Sequence, residues 1–177
     1  MQSRIKVLRY GHRELRDFRV TTHCALVSRA LGAEEIIIQG KEDEKIINNI
    51  KQINQNFGSE FKIRFIKNWK PEIKKLKKEN WKLIHLTMYG ESITEKIEEI
   101  KKEEKIIILI GSQKVEREVY EKADFNVAVT NQPHSEIASL AITLNEIYEG
   151  KKLNEQFIGA KKIIIPQTKG KKIIEKK

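Results

Sequence analysis

Continuous apolar runs that alternate with helical segments constrain this chain more than any other feature. The run at residues 106–110 contains only isoleucine and leucine, which is typical of a strand buried on both faces of a sheet. Several such runs are each followed by a segment with helical periodicity. Because alternating strands and helices favour parallel pairing, the sequence predicts an α/β fold with a largely parallel sheet flanked by helices.

The pattern predicts strands at residues 4–10, 35–39, 61–66, 81–86, 105–110 and 125–129. The helices are predicted at residues 42–56, 71–79, 92–102, 115–122 and 135–148. An earlier helix is expected to begin near Thr21 or Thr22 and to end at Gly32, because these residue types commonly cap helix starts and ends. Residues 11–19 have no clear period and are expected to form a loop.

The size of the chain favours one domain. With 177 residues, 39% of them hydrophobic, it can bury one full core, so residues 1–177 are expected to form a single domain that includes the basic segment 151–177. Its one cysteine, Cys24, has no disulfide partner in the chain, which indicates a reducing, cytoplasmic location. No apolar run reaches the roughly 18 residues that span a bilayer, so no membrane association is expected.

Three predicted strands in the second half end in polar loops, at residues 87–90, 111–114 and 130–136. The last loop leads directly into a helix that Ser135 or His134 can cap. Each loop alone could be an ordinary turn. Since the carboxyl ends of parallel strands lie at one edge of a sheet, three polar loops together favour a ligand-binding site there.

Several common kinds of site lack support. No G-x-x-x-x-G-K-S/T or G-x-G-x-x-G motif occurs, so no nucleoside triphosphate or dinucleotide is favoured. No metal site is expected, because the four histidines have no ligand-like spacing: His12, His23, His85 and His134. A Ser-His-Asp arrangement remains open, although the chain has no nucleophile-elbow signature.

The charge favours a polyanionic partner. Lys and Arg number 35 against 25 for Asp and Glu, giving a net charge of +10. A heat-adapted surface of ion-pair networks is the alternative explanation for the lysines. It does not explain the clustering of six of the eight arginines within the first 29 residues: Arg4, Arg9, Arg13, Arg16, Arg19 and Arg29. The guanidinium fork suits phosphate, and Asp17 could hold one of these groups in place.

Four groups of residues also match a known family. They are Gly11-His12-Arg13 with Arg16-Asp17, Arg19 and Thr21-Thr22-His23; His85-Leu86-Thr87-Met88-Tyr89-Gly90; Lys114-Val115 with Glu118-Val119-Tyr120; and Asn131-Gln132-Pro133-His134-Ser135-Glu136. Together they resemble the archaeal tRNA cytidine-56 2'-O-methyltransferases of the SPOUT class. The match runs in order along nearly the whole chain.

The resemblance implies a SPOUT-type fold with a deep C-terminal trefoil knot, which pattern reasoning would not propose because true knots are rare. It further implies a homodimer, S-adenosylmethionine as methyl donor, and a cytidine ribose in the TΨC loop of tRNA as acceptor. By position, the donor is expected to contact residues from the three loops: Leu86, Gly111, Ser112, Gln113, Lys114, Val115, Val129, Thr130, Asn131, Gln132, Pro133, His134, Ser135 and Glu136.

For catalysis, the resemblance points to an arginine, with Arg19 as first candidate and Arg29 as second. Because a guanidinium stays protonated, we expect it to hold the 3'-phosphate and stabilise developing oxyanion charge. His23 or a phosphate would take the proton. A surface ion pair for Arg29 and a capping or core role for His23 are the alternatives. Contact with RNA is expected from Arg9, His12, Arg13 and Arg16.

Two other functions remain open on the sequence. A non-enzymatic α/β module could grip tRNA through its basic face and would ignore S-adenosylmethionine. A flavodoxin-like small-molecule binder would leave the arginine cluster unexplained. Binding of the donor separates the enzyme from the non-enzymatic RNA-binding module.

Overall fold

The computed structural model describes residues 3–112 and 114–176. The elements follow in the order β1 (Arg4–His12), α1 (Glu14–Ala30), β2 (Glu35–Gly40), α2 (Glu44–Phe57), β3 (Lys62–Ile66), α3 (Trp69–Lys78), β4 (Lys82–Ser92), α4 (Ile93–Ile100), β5 (Lys105–Gly111), α5 (Arg117–Lys122), β6 (Phe125–Ala128), α6 (Glu136–Tyr148), a short 3₁₀ helix (Lys151–Asn154), β7 (Lys162–Ile165) and β8 (Lys172–Glu175).

A parallel sheet of six strands forms the centre of the fold, with the strand order β3-β2-β1-β5-β4-β6. Val7 of the central strand β1 pairs with Ile36 on one side and Ile108 on the other. Residues 106–110 of β5 are buried, as their apolar composition predicts. The α/β class and the parallel sheet flanked by helices are therefore confirmed.

The core lies on both faces of the sheet. Helices α1, α2, α4 and α6 contribute to a larger cluster on one face, with Cys24, Ile50 and Leu140 among its members. Helices α3 and α5 contribute to a smaller cluster, which contains Trp69 and Val119. This layering leaves the carboxyl ends of β1, β4, β5 and β6 open at one edge.

Helix α1 begins earlier than the sequence predicts. It starts at Glu14 after the extended residue Arg13, so residues 14–19 are helical and the predicted loop is wrong there. Thr21 and Thr22 lie inside the helix, where Thr22 Oγ1 donates to the carbonyl of Phe18 at 2.8 Å. The buried face of α1 carries several polar side chains, which hides the apolar period. Gly32, at φ +88°, follows the helix end as expected.

Strand β4 is longer than predicted, since residues 87–92 continue it beyond Leu86. Its pairing with β6 is irregular, because Leu86 and Glu91 both pair with Val127. Gly90 allows this close approach: a Cβ added there would lie 2.5 Å from Val127 N and 2.6 Å from Asn126 C. The chain between these pairs therefore passes directly against the backbone of β6.

The segment after Gly150 forms an antiparallel hairpin, β7 paired with β8. Its first strand contains the apolar run at residues 163–165, and neither strand was among those predicted from the sequence. The hairpin contacts α2 and lies outside the main sheet. Across residues 3–112 and 114–176, none of the helices combines the length and apolar character that crossing a membrane requires.

Candidate functional site

A cavity of about 700 Å³ opens at the carboxyl edge of the sheet, where β4, the loop after β5 and α5 meet. A volume of this size is usual for a small-molecule site. It is lined by His85, Leu86, Thr87, Tyr89, Gly111, Lys114, Val115, Arg117 and Tyr120. The sequence predicted donor contact for four of these residues: Leu86, Gly111, Lys114 and Val115.

The cavity wall formed by β4 is held in place by a small network of polar side chains. His85 is buried, and its Nδ1 lies 2.9 Å from Asn126 Oδ1. Asn126 Nδ2 donates in turn to the carbonyl of Tyr120 at 2.9 Å, and the hydroxyls of Tyr120 and Thr87 are 3.2 Å apart. Burial lowers the pKa of His85, although the hydrogen bond with Asn126 opposes this. The imidazole is therefore held neutral against the Tyr120 ring, 4.5 Å away.

The loop after β5 is tied to the end of β1. Ser112 N donates to the carbonyl of Tyr10 at 3.0 Å, and Ser112 Oγ donates to the carbonyl of Gly11. Farther along, Glu116 accepts hydrogen bonds from Trp69 Nε1 at 2.8 Å and from the Tyr10 hydroxyl at 3.3 Å. Burial raises the pKa of Tyr10, and the charge of Glu116 raises it further. These contacts fix the loop beside the cavity.

The third loop, residues 129–135, lies beside the β4 extension. Asn131 Nδ2 donates to the carbonyl of Met88 at 2.7 Å and to that of Gly90 at 3.3 Å. Ser135 caps α6, because its Oγ accepts from Ala138 N at 3.2 Å, while His134 Nδ1 bonds the carbonyl of Gln132. The loop is therefore adjacent to the cavity wall, although its residues are not part of the cavity lining described above.

Glu136, the first residue of α6, contacts a buried arginine. Arg9 Nη1 lies 3.3 Å from Glu136 Oε1, and Arg9 Nε donates to Thr21 Oγ1 at 2.7 Å. The same guanidinium lies 3.6 Å from the sulfur of Cys24. Burial raises the pKa of the Cys24 thiol to about 12, which makes it unreactive at neutral pH. Arg9 therefore joins β1, α1 and α6 at one point.

The structure divides the predicted RNA-contacting residues. Arg9 is fully buried and His12 is 6% exposed, so neither side chain is offered to RNA in this conformation. His12 Nδ1 lies 2.9 Å from Thr21 Oγ1, and burial, followed by the charge of Arg9, lowers the His12 pKa. Arg16 is exposed on α1.

Arg13 is partly exposed and held by Asp17. Its Nε and Nη2 donate to the two carboxylate oxygens at 3.0 Å and 2.9 Å, and Nη2 also reaches the carbonyl of Ser112 at 3.3 Å. Burial alone would raise the pKa of Asp17, but the hydrogen bonds from Arg13 lower it overall. The Asp17 contact suggested by the sequence is present, and it places Arg13 beside the loop after β5.

The two candidate catalytic arginines occupy different environments. Arg19 and His23 are exposed on α1, and their spacing with Arg16 puts all three on one helix face. None of the three belongs to the cavity lining.

Arg29 is buried at the other end of α1. Its Nε donates to Asn54 Oδ1 at 2.9 Å, its Nη2 donates to the carbonyl of Gly58, and its guanidinium stacks 4.7 Å from the Phe157 ring. These contacts differ from the surface ion pair considered as the alternative, and the catalytic role of Arg29 stays a prediction.

The remaining predicted site residues stand as follows. Gln113 lies outside the described residues. Ser112 anchors the β5 loop, and Val129, Thr130, Gln132 and Pro133 belong to the third loop. Residues 3–112 and 114–176 contain no group of three or more His, Cys, Asp or Glu side chains that could hold a metal ion.

Tyr89 and Tyr120 line the cavity although the sequence-based set of site residues omits them. Both tyrosines belong to the motifs that resemble the family, and this membership is the sequence signal that could have identified them.

The cavity residues suit S-adenosylmethionine. Leu86 and Val115 offer apolar surface for an adenine ring, and the backbone at Gly111 is accessible. The aromatic faces of Tyr89 and Tyr120 attract cations such as a sulfonium. Lys114 brings a positive charge to the cavity, and a carboxylate is a suitable partner for such a charge.

The family described as tRNA ribose 2'-O-methyltransferase, aTrm56, matches residues 57–174. The tRNA (cytidine(56)-2'-O)-methyltransferase of Nitrosopumilus maritimus is 51% identical over 169 residues, which cover 96% of this chain and 95% of that protein. The protein of the same description from Pyrococcus horikoshii is 49% identical over 175 residues, covering 97% of this chain and 85% of that one.

Solved structures show the same fold at low sequence identity. The A. aeolicus TrmH/SpoU tRNA modifying enzyme has a TM-score of 0.63 and 14% identity, with coverage of 86% of this chain and 77% of that one. The SpoU methyltransferase AviRb from Streptomyces viridochromogenes, solved in complex with AdoMet, has a TM-score of 0.62 and 12% identity. The alignment with AviRb covers 88% of this chain and 60% of that one.

Proposed function

The chain belongs to the tRNA ribose 2'-O-methyltransferase family aTrm56, and we propose that it methylates the 2'-hydroxyl of cytidine-56 in the TΨC loop of tRNA. S-adenosylmethionine supplies the methyl group. The observation that carries this proposal is the meeting of the three family-like loops at one sheet edge, two of them lining the cavity and the third bonded to its wall through Asn131.

In the donor site that we propose, the chain positions the donor through different kinds of contact. Leu86 and Val115 enclose the adenine, while Lys114 holds the carboxylate. The Tyr120 ring is fixed by His85 packed edge-on and by the Thr87 hydroxyl, which supports its use as a rigid wall. Because this wall is already rigid, little conformational entropy is lost when the donor binds.

The third loop completes the donor site in this proposal. Asn131 anchors it to the backbone of the β4 extension, and Arg9 anchors the following residue, Glu136, to β1. A trefoil knot is part of the same proposal. It is supported by the pairing of Val127 with both Leu86 and Glu91, because the four residues between them leave the ladder beside β6.

A homodimer brings the catalytic groups to the cavity in our proposal. Arg19 and His23 lie on α1, which packs on the sheet face opposite the one occupied by α5, the helix of Arg117 and Tyr120. Beside them, Leu15 on α1 is 100% exposed and Ile142 on α6 is 46% exposed, which supports a covered face there. Arg19 of the partner subunit would then reach the acceptor.

During transfer, the methyl carbon forms a bond to the 2'-oxygen and its bond to sulfur breaks, leaving S-adenosylhomocysteine. Arg19 holds the 3'-phosphate and stabilises the developing negative charge on the 2'-oxygen. The 2'-hydroxyl proton passes to His23 or to a phosphate oxygen, because a guanidinium cannot accept it.

In this proposal Arg13 and Arg16 contact the tRNA backbone, and the buried Arg9 and His12 support the site from within. The exposure of Arg16 and the placement of Arg13 beside Ser112 support this division. A cytoplasmic location belongs to the same proposal, since the substrate is tRNA and Cys24 is a buried free thiol.

Calorimetry with S-adenosylmethionine tests the proposed function against the non-enzymatic alternative. The enzyme is expected to bind the donor in the absence of RNA, and filling the cavity by Val115→Trp should abolish the signal. A protein that binds tRNA but gives no heat with the donor would be the RNA-binding module instead. Retention of the native circular dichroism spectrum by the variant controls for misfolding.

A further inference from the structure

The positive charge of the chain is concentrated at its end. Residues 151–177 contain nine lysines and two glutamates, so seven of the ten excess positive charges fall in this segment. The other 150 residues together carry the remaining three positive charges. An explanation based on a generally lysine-rich surface would not place the excess in one short stretch.

Most of this charge belongs to the lysine hairpin, which we define as residues 161–176. It comprises β7, β8 and the turn between them. Its turn contains Gly170 at φ +90°, and a Cβ added there would meet nothing within 4 Å, so the turn projects into solvent. Lys169 and Lys171 flank this glycine and are exposed.

Few lysines of the hairpin form ion pairs. Some lysines elsewhere do pair with carboxylates, such as Lys6 with Glu35 at 2.6 Å and Lys101 with Glu98 at 3.0 Å. In the hairpin, Lys162 pairs with Glu175 at 3.2 Å. The other five lysines have no carboxylate within 4.0 Å among residues 3–112 and 114–176: Lys161, Lys169, Lys171, Lys172 and Lys176. An ion-pair network therefore does not account for them.

The base of the hairpin is firmly held by the main fold. Gly58, at φ +73°, lies so close that a Cβ there would be 2.6 Å from the carbonyl oxygen of Ile158 and 2.9 Å from Ala160 N. The buried Arg29 stacks on Phe157 and donates to the carbonyl of Gly58. The unpaired lysines are thus presented from a fixed base rather than from a loose tail.

The hairpin is remote from the cavity. Arg29 lies near the C-terminal end of α1, whereas Arg13, beside the cavity loop, precedes its first turn. The 17 residues of α1 span about 25 Å. A group bound at both places must therefore be a long polyanion rather than a small ligand.

We infer that the lysine hairpin binds the phosphate backbone of tRNA at a second place, remote from the nucleotide that is methylated. This inference rests on the proposed function and deepens it. Lysine is a flexible point charge without base-reading geometry, so the contact adds affinity without sequence recognition. Each phosphate contact releases counterions, which makes the contribution of the hairpin strongly salt-dependent.

A charge-matched pair of triple variants tests the inference. Lys169→Gln, Lys171→Gln and Lys172→Gln together remove three hairpin charges. Lys74→Gln, Lys75→Gln and Lys78→Gln remove three charges from exposed, lysine-rich α3. Binding of unmodified tRNA is measured from 50 to 200 mM salt, with donor affinity and molecular mass by light scattering measured in parallel.

The wild-type protein is expected to lose about 20- to 40-fold more tRNA affinity than the hairpin variant across this salt range, because three counterion-releasing contacts are absent from the variant. The KM for tRNA should rise at 150 mM salt with kcat and donor affinity unchanged. The α3 variant should keep the wild-type salt slope within about one contact. This set of results supports the inference.

Equal salt slopes for the wild-type protein and the hairpin variant would overturn the inference. A change of molecular mass without a change of slope would also overturn it, because the exposed Ile164 and Ile173 would then mark a contact with a second copy. Failure of the proposed function is a separate result: the wild-type protein would bind tRNA through the hairpin yet transfer no methyl group.

Discussion

Arg9 Nη1 lies 3.3 Å from Glu136 Oε1, although the two residues are 127 positions apart in the sequence. The Arg9 side chain is fully buried and that of Glu136 is 26% exposed. The pair joins the central strand β1 to the first residue of α6, directly after the third loop. The position of that loop therefore depends on an arginine that has no access to solvent.

Replacing either member of this pair should have unequal effects. Arg9→Met leaves Glu136 without its cation and Thr21 without its donor, so unfolding free energy should fall by about 3 kcal/mol. Glu136→Gln keeps an accepting oxygen, and the loss should stay below about 1.5 kcal/mol. Urea unfolding measures both. In the double variant the losses should be clearly less than additive, and simple additivity would show that the pair is not coupled.

Gly90→Ala should disturb the close approach of the β4 extension to the backbone of β6. The added Cβ would meet backbone atoms of Asn126 and Val127, which cannot move aside as a flexible side chain could. We expect a stability loss of about 1–3 kcal/mol and weaker donor binding, measured by thermal unfolding and calorimetry.

Gly159→Ala is the matched control, since nothing lies within 4 Å of its Cβ position although its φ is +79°. It should cost about 1–2 kcal/mol through backbone strain and leave donor affinity unchanged. Equal loss of donor binding in both variants would mean that the close approach of Gly90 to β6 has no specific effect on the donor site.

The pH dependence of stability should report the burial of His85. Its folded-state pKa is lowered, so the unfolded chain binds a proton more readily than the folded protein does. Stability should therefore be full above the unfolded pKa of about 6.5 and should fall as the pH drops below it. His12 has the same sign and adds to the effect.

His85→Gln should flatten part of this dependence between pH 7 and 5, because it removes a buried group whose pKa is lowered in the folded state. Denaturant midpoints across this range give the comparison. An unchanged slope in His85→Gln would show that His85 does not remain neutral in the folded state.

Arg19→Ala should reduce methyl transfer by about 100-fold or more, because a group that stabilises developing charge is lost. Donor affinity should remain within twofold of the wild-type value. Arg4→Ala is the control, since Arg4 pairs with Glu34 at the opposite end of β1 and should leave transfer unchanged. Parallel loss of donor binding in Arg19→Ala would assign Arg19 to the donor side.

Mixed dimers test which subunit supplies Arg19. Neither Arg19→Ala nor Val115→Trp should be active alone. If Arg19 serves the cavity of the partner subunit, mixing the two variants creates one intact site and restores activity. Absence of any restoration in a verified heterodimer would place Arg19 in its own subunit's site.

The sequence predicted the parallel sheet well because buried strands such as residues 106–110 have an unmistakable composition. The sequence-based prediction failed where the buried side chains are polar. Helix α1 buries Asp17, Thr21 and Arg29, so its inward face does not look apolar and its start was missed. Residues 87–90 of the β4 extension were predicted to be a loop because they are not an apolar run, and they have no paired partner in β6.

The candidate site was only partly predictable for a related reason. Leu86 ends one predicted apolar strand, Gly111, Lys114 and Val115 follow the next, and the parallel sheet brings them together. The burial of Arg9 depends on Glu136 and Thr21, which come from distant parts of the chain. Local pattern reasoning saw only an arginine in a basic cluster and therefore predicted an RNA contact.

The most direct test of the proposed function maps the product. Unmodified tRNA is incubated with the protein and labelled S-adenosylmethionine, and the RNA is then digested to locate the label. The proposal predicts one methyl group, on the ribose 2'-oxygen of cytidine-56. A methyl group on a base, or on a ribose outside the TΨC loop, would contradict it.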